Sequence, residues 1–122
     1  MGKKIALVTG AALLAVGVAT PAATASAPLG NLRNCAGGTC IEVDPIEGSV
    51  GELSNAWAWR ETRFTGHFQV TGPNLNQDSE HRDWNAGQAT GTFTARGRGE
   101  ICAQAWAPGG LPLGSKVCVY RK

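Results

Sequence analysis

NAWAWRETRFTGHFQVTGPN, residues 55–74, carries the strongest β-strand pattern in the chain. From residue 64 to residue 70, aromatic and apolar side chains alternate with polar ones, which is the period of a half-buried strand. Trp57 and Trp59 have the opposite parity, so one unbroken strand cannot bury all of these rings. The sequence therefore predicts a bulge in residues 60–63, or two strands joined by a bend, or an aromatic pair that faces outward.

A C-terminal hairpin is predicted from two cysteines that flank the loop PGGLPLG, residues 108–114. Placing Cys102 opposite Cys118 also aligns Ile101 with Val119, so that apolar partners share one face and the sulfurs the other.

CAGGTC, residues 35–40, predicts a miniature hairpin in which Gly37 and Gly38 form the turn and Cys35 faces Cys40. We therefore predict the disulfides Cys35–Cys40 and Cys102–Cys118. The alternative pairing ties the N-terminal strand to the C-terminal hairpin. A four-cysteine zinc site is disfavoured, because only Cys35 and Cys40 are closely spaced.

The N-terminus predicts an export signal. Lys3 and Lys4 precede the apolar run IALVTGAALLAVGVA, and ATASA then supplies the small residues of a cleavage site. We predict a signal peptide over residues 1–25, with cleavage after Ala25 or, as the alternative, after Ala27. The mature protein is then secreted, with no membrane attachment.

Removing residues 1–25 changes the charge balance. The chain has 11 basic and 9 acidic residues, and Lys3 and Lys4 leave with the signal, so the mature protein is neutral. A neutral domain lacks the positive footprint of a nucleic-acid-binding protein, and ARGRGE, residues 95–100, is better explained as a tight strand connection.

The mature chain predicts an all-β fold. Residues 26–34 form an irregular lead-in, and residues 35–122 form a single domain stapled by disulfides. QATGTFTA, residues 88–95, predicts a strand with threonines on one wet face. We expect six or seven strands, arranged as a small antiparallel β-sandwich or barrel.

The charged run DSEHRD, residues 78–83, is the main candidate for chemistry. A calcium loop does not fit, because Arg82 and Asp83 occupy its fifth and sixth positions. His81 and the distant His67 do not have a spacing that requires zinc. We therefore interpret the run as a solvated turn with no metal or cofactor and assign no catalytic residue.

Three of the four tryptophans are the candidates for ligand contact. Trp84 follows the charged run directly and precedes Asn85, so we predict that both contact a ligand at the surface. Trp57 and Trp59, opposite in parity to the phenylalanines, are the second pair of candidates.

WRETRFTGHFQVTGPN, then DWNAG, GEICAQAWA and KVCVYRK, resemble segments of small exported proteins of high-GC Gram-positive bacteria. These proteins share a GHF-type strand, a later tryptophan and a Cys-x-x-x-Trp strand. The resemblance implies secretion and a β fold, and it assigns no catalytic residue.

We therefore predict a secreted binding domain whose exposed aromatic residues contact a carbohydrate, a cell-wall component or a protein. One alternative is a protease inhibitor that uses the loop PGGLPLGSK, residues 108–116. Another is a small secreted hydrolase, which requires His67 and the 78–83 run to meet in space.

Overall fold

The computed structural model describes residues 31–122, so the predicted signal peptide and its cleavage site lie outside the described residues. The regular structure of residues 31–122 is entirely β-strand, and this part of the chain contains no helix able to span a membrane. In chain order the nine strands are β1 (Leu32–Ala36), β2 (Thr39–Pro45), β3 (Leu53–Arg60), β4 (Phe64–Gly72), β5 (Leu75–Asp78), β6 (Arg82–Trp84), β7 (Phe93–Arg96), β8 (Gly99–Ala107) and β9 (Leu111–Arg121).

The strands form two antiparallel sheets. The four-stranded sheet has the order β1-β2-β3-β7. The five-stranded sheet has the order β9-β8-β4-β5, and β6 pairs with β4 beyond the end of β5. Neither sheet closes on itself within residues 31–122.

The inner faces of the two sheets contribute to one hydrophobic core. The fully buried core residues of β2 and β3 are small or β-branched. From β4, the core takes Phe68 and Val70. This alternation of buried and half-buried residues is the pattern expected when one sheet face is dry. The core residues are Ile41, Val43, Ala56, Ala58, Phe68, Val70, Leu75, Trp84, Ala95, Ile101, Ala103, Ala105 and Val117.

The parity conflict in residues 55–74 is resolved by two strands in different sheets. β3 buries Ala56 and Ala58, which leaves Trp57 and Trp59 half-buried on the outer side. The chain then bends, and β4 buries Phe68 in the other sheet.

Both predicted disulfide hairpins are confirmed. Cys35 is bonded to Cys40 and Cys102 to Cys118, and each pair lies directly across an antiparallel ladder. Gly37 and Gly38 have φ values of 58° and 83°, which a two-residue hairpin turn of this type requires. The two disulfides indicate an oxidising, extracellular compartment.

Replacing Cys102 and Cys118 together by alanine is expected to lower the free energy of unfolding by about 3 kcal/mol. The equivalent change at Cys35 and Cys40 is expected to cost about 2 kcal/mol, because the closed loop is shorter. Urea unfolding midpoints of the two variants measure the difference. A larger loss from the Cys35 and Cys40 pair would contradict this order.

The loop predicted at residues 108–116 is mostly strand. Leu111 already pairs with Ala107, so the turn is only three residues long. The register shifts between Leu113 and Val117, where the chain bulges. Residues 108–116 therefore form a tight turn followed by a paired and bulged strand, and all of them are exposed except the half-buried Leu113. The protease-inhibitor alternative stays a prediction.

The charged run at residues 78–83 is largely exposed to solvent, as predicted, but it is neither a turn nor a hairpin tip. β5 and β6 both pair with β4, and between Asp78 and Arg82 the pairing slips by one residue. The run is thus an exposed edge strand with a bulge, and the hairpin turn lies earlier, at Pro73 and Asn74. Charged side chains on such an edge discourage pairing with a further strand.

Two predicted boundaries also change. The described end of the lead-in is not irregular, because residues 32–34 belong to β1 and pair with β2. The strand predicted over residues 88–95 begins only at Phe93, because Thr90 is buried and its hydroxyl accepts a hydrogen bond from the Ala58 N–H at 3.1 Å. With β5 and β6, these changes raise the number of strands above the predicted six or seven.

Candidate functional site

Trp84 is in the core, so its predicted exposure is wrong. Its side chain is 4% exposed, its ring meets Phe68 edge to face at 5.3 Å, and its indole N–H donates to the Gly66 carbonyl at 3.0 Å. The bulge between β5 and β6 explains the error. One additional residue reverses the parity of the strand and turns Trp84 to the same side as Leu75.

Asn85 is exposed in the turn that follows β6. Its backbone N–H donates to the side-chain carbonyl of Gln88 at 2.9 Å, and its own carbonyl accepts the Gln88 N–H. These bonds give Asn85 a local role in closing the turn. The predicted partnership of Trp84 and Asn85 at one surface is not formed, since Trp84 points inward.

Trp57 and Trp59 do lie together on an outer surface. Their cross-strand partners on β2 are Glu42 and Cys40 respectively. The guanidinium carbon of Arg33 on β1 lies 5.0 Å from the ring centroid of Trp59. We call this surface, formed by Arg33, Glu42, Asp44, Trp57 and Trp59, the paired-tryptophan face.

The outer side of the five-stranded sheet carries the fourth tryptophan. Trp106 on β8 is the cross-strand partner of His67 on β4, and Gln104 is the partner of Gln69. All four side chains are half-buried, while their strand neighbours Phe68 and Ala105 are fully buried on the inner side. We call the outer surface formed by His67, Gln69, Asn76, Gln104 and Trp106 the amide face.

Side-chain hydrogen bonds order the amide face across three strands. The indole N–H of Trp106 donates to the Gln69 side-chain carbonyl at 3.2 Å. The Gln69 side-chain NH₂ in turn donates to the Asn76 side-chain carbonyl at 3.2 Å. The Gln104 NH₂ donates to the Ala105 carbonyl at 3.1 Å and lies 3.4 Å and 3.3 Å from the carbonyls of Leu113 and Gly114 in the β9 bulge. These contacts restrain the indole and both glutamine amides before any ligand arrives.

The bulge in the charged run brings the two histidines together. The ring centroids of His67 and His81 are 6.2 Å apart, at the β6 end of the amide face. The nearby acids are held by arginines: Glu80 pairs with Arg82 at 2.9 Å, and Asp83 lies 3.7 Å from Arg63. The Asp83 carboxylate also accepts a hydrogen bond from the Thr65 hydroxyl.

Metal-ligating side chains converge at two places within residues 31–122. One group is Cys35, Cys40 and Glu61, and the other is Glu100, Cys102 and Cys118. Both contain the two sulfurs of a disulfide, which do not provide thiolate ligands. Neither group includes a histidine of the amide face.

Comparison of the chain with protein-family models, with curated proteins and with solved structures found no match. The resemblance to small exported bacterial proteins therefore stays a prediction.

Sequence reasoning missed Trp106, although the signal was present. In GEICAQAWA, the residues Cys102, Gln104 and Trp106 share one parity, and Ile101 and Ala103 share the other. The alternation that placed the sulfurs on the outer side of the hairpin also placed Trp106 there. Its hydrogen-bonded neighbours come from β4 and β5 and were not visible in β8 itself.

Proposed function

We propose that this protein is a secreted β-sandwich domain that binds a neutral carbohydrate on its amide face. Trp106 supplies an aromatic surface for a sugar ring, and the amides of Gln69 and Gln104 supply hydrogen-bonding groups beside it. Sugars suit such a surface, because they present apolar C–H faces for stacking and hydroxyl groups at their edges.

The observation that carries the proposal is the hydrogen-bonded row from Trp106 through Gln69 to Asn76. A row held by its own bonds loses little conformational entropy on binding. Its three members carry no formal charge, which favours a neutral ligand over an ionic one.

Export and sandwich architecture are parts of the same proposal. The basic and apolar N-terminus and the two disulfides support secretion. The sandwich arrangement is supported by one core that takes Ile41 and Val43 from the four-stranded sheet and Phe68 and Val70 from the five-stranded sheet.

Depletion assays with neutral polysaccharides and purified cell-wall glycan test the proposal. The variant Trp106→Ala is expected to weaken binding about thirtyfold, because truncating a central tryptophan contact costs about 2 kcal/mol. Trp106→Phe is expected to recover part of the affinity, since it retains an aromatic ring but lacks the N–H that Gln69 accepts.

Val50→Ala is the control, because Val50 is 88% exposed in the loop between β2 and β3. Circular-dichroism melting confirms that each variant is folded. The proposal is wrong if the protein binds none of these glycans, or if Trp106→Ala binds them as tightly as the unchanged protein does.

A secreted hydrolase is the second candidate, favoured by the 6.2 Å approach of His67 and His81. Two adjacent imidazoles beside a substrate surface are suited to general acid–base catalysis. This candidate predicts that the protein releases reducing ends from a bound polysaccharide and that His67→Ala or His81→Ala abolishes the release. If the unchanged protein releases no reducing ends, the hydrolase candidate is wrong.

A further inference from the structure

The paired-tryptophan face already holds one cation against an aromatic ring. Arg33 lies over Trp59 at 5.0 Å and is the cross-strand partner of Glu42. An arginine in this position gains from the electrons of the indole. The contact between Arg33 and Trp59 therefore shows that this face can bind a guanidinium group.

Trp57 offers a second position of the same kind. It lies two residues before Trp59 on β3, on the same side of the sheet, and its partner on β2 is Glu42. Asp44, two residues further along β2, is opposite Asn55 and projects to the same side. Within residues 31–122, the cations that lie over aromatic rings are Arg33, Arg60 and Arg82, and none of them lies over Trp57.

The carboxylate of Glu42 is oriented by a hydrogen bond from the Asn31 side-chain NH₂. Glu42 and Asp44 together outnumber the single cation of the face, Arg33. The whole chain does not supply this negative potential: after Lys3 and Lys4, nine basic residues face nine acidic ones. Any attraction for cations at this surface is therefore local.

We propose that Trp57, Glu42 and Asp44 form a second binding site, which takes arginine or lysine side chains from an extended basic segment of a partner protein. In a strand, side chains on one side repeat about every 6.6 Å. Glu42 and Asp44, two residues apart on β2, are neighbours in such a repeat. An extended peptide with cations at alternate positions repeats at the same interval. This match favours a peptide over an isolated amine.

The site is independent of the glycan proposal, since it lies on the outer side of the other sheet. A protein with both surfaces connects a glycan to a basic protein. If one of the two sites does not bind its ligand, binding at the other can still be measured.

Fluorescence anisotropy with a labelled Arg-Thr-Arg-Thr-Arg peptide at low salt tests the second site. Trp57→Ala is expected to weaken binding about fivefold, because it removes the cation–π contact. The double variant Glu42→Gln with Asp44→Asn is expected to weaken binding at least as much, and added salt should reduce its difference from the unchanged protein.

Arg33→Gln gives a result in the opposite direction. It removes the competing positive charge and uncovers Trp59, so it is expected to tighten peptide binding about twofold. Glu47→Gln is the control for the single variant Glu42→Gln, because each removes one negative charge and Glu47 is exposed in the loop after β2. Melting curves identify any variant that fails to fold, and Glu42→Gln alone then provides a milder replacement for the double variant.

Equal binding of a Gln-Thr-Gln-Thr-Gln peptide overturns the proposal, since charge then plays no part. Loss of peptide binding in Glu47→Gln as large as in the double variant overturns it as well, because the attraction is then not local. Binding of a glucosamine oligomer without binding of the arginine peptide also overturns it, in favour of an amino-sugar ligand.

Discussion

Replacing Gly66 with alanine is expected to lower the free energy of unfolding by about 4 kcal/mol. Gly66 has a φ of 150°, and a Cβ placed on it overlaps the carbonyl oxygen of Trp106 and lies 2.9 Å from its carbonyl carbon. β4 and β8 are neighbours in the five-stranded sheet, so neither backbone can retreat without losing ladder hydrogen bonds. Backbone strain of about 1–3 kcal/mol adds to an overpacking cost of about 1–3 kcal/mol or more.

Thermal unfolding followed by circular dichroism measures this effect. A loss of about 4 kcal/mol corresponds to roughly 15–30 °C in Tm for a domain of this size. Such a loss is a large fraction of the roughly 5–15 kcal/mol that holds a typical domain folded.

Substitutions at two other glycines distinguish the cost of backbone strain from the cost of the steric clash. Gly87 has a φ of 77° with open space around its Cβ position, so Gly87→Ala should show the cost of the backbone angle without the clash. Gly91→Ala meets neither obstacle and should be nearly neutral. If the Tm of Gly66→Ala is within a few degrees of the Tm of Gly87→Ala, then β4 and β8 do not approach each other as closely at Gly66 as the structure shows.

Trp84→Ala is expected to lower the free energy of unfolding by about 3–5 kcal/mol. The ring is 4% exposed, packs against Phe68 and is covered by the Arg82 guanidinium at 5.2 Å. Its loss leaves a large cavity and removes the hydrogen bond to the Gly66 carbonyl at the strand junction. Chemical denaturation gives the value directly.

Trp84→Phe divides this loss into packing and hydrogen bonding. It retains an aromatic ring beside Phe68 but leaves the Gly66 carbonyl without its indole donor, which costs about 1–3 kcal/mol. Trp57→Ala is the comparison for a tryptophan on an outer face and should cost much less, because Trp57 is only half-buried. Equal losses from Trp84→Ala and Trp57→Ala would place Trp84 at the surface, as its sequence position suggested.

The hairpin registers were accessible from the sequence because each is a local problem. In CAGGTC, two glycines allow the turn, and the cysteines then face each other. At the C-terminus, the alignment of Cys102 with Cys118 also matched Ile101 with Val119, and the structure has both pairs. The bulge between Leu113 and Val117 did not disturb this match, because it lies on the turn side of the bridge.

The prediction of a turn at residues 78–83 was wrong because the polar composition of this run does not resemble that of a strand. Residues 78–83 have the polarity of a loop, yet the backbones of β5 and β6 pair with β4 on either side of the bulge. The Ser79 hydroxyl accepts the Phe68 N–H at 2.8 Å, and the Ser79 N–H donates to the Phe68 carbonyl at 2.7 Å, which continues the pairing through the bulge. No residue in the run marks this slip in its own pattern.

By itself, the sequence determined the all-β class and the two disulfide hairpins, because alternation and turn residues act between near neighbours. For Trp57 and Trp59 it established only a parity opposite to that of the phenylalanines, and the placement of β3 and β4 in different sheets turned both rings outward. The tertiary structure alone decided that Trp84 is core and that Trp106 joins Gln69 and Asn76. Side-chain direction after a bulge depends on how a partner strand takes up one additional residue. A surface assembled from β4, β5 and β8 exists only when residues distant in the chain become neighbours in the sheet.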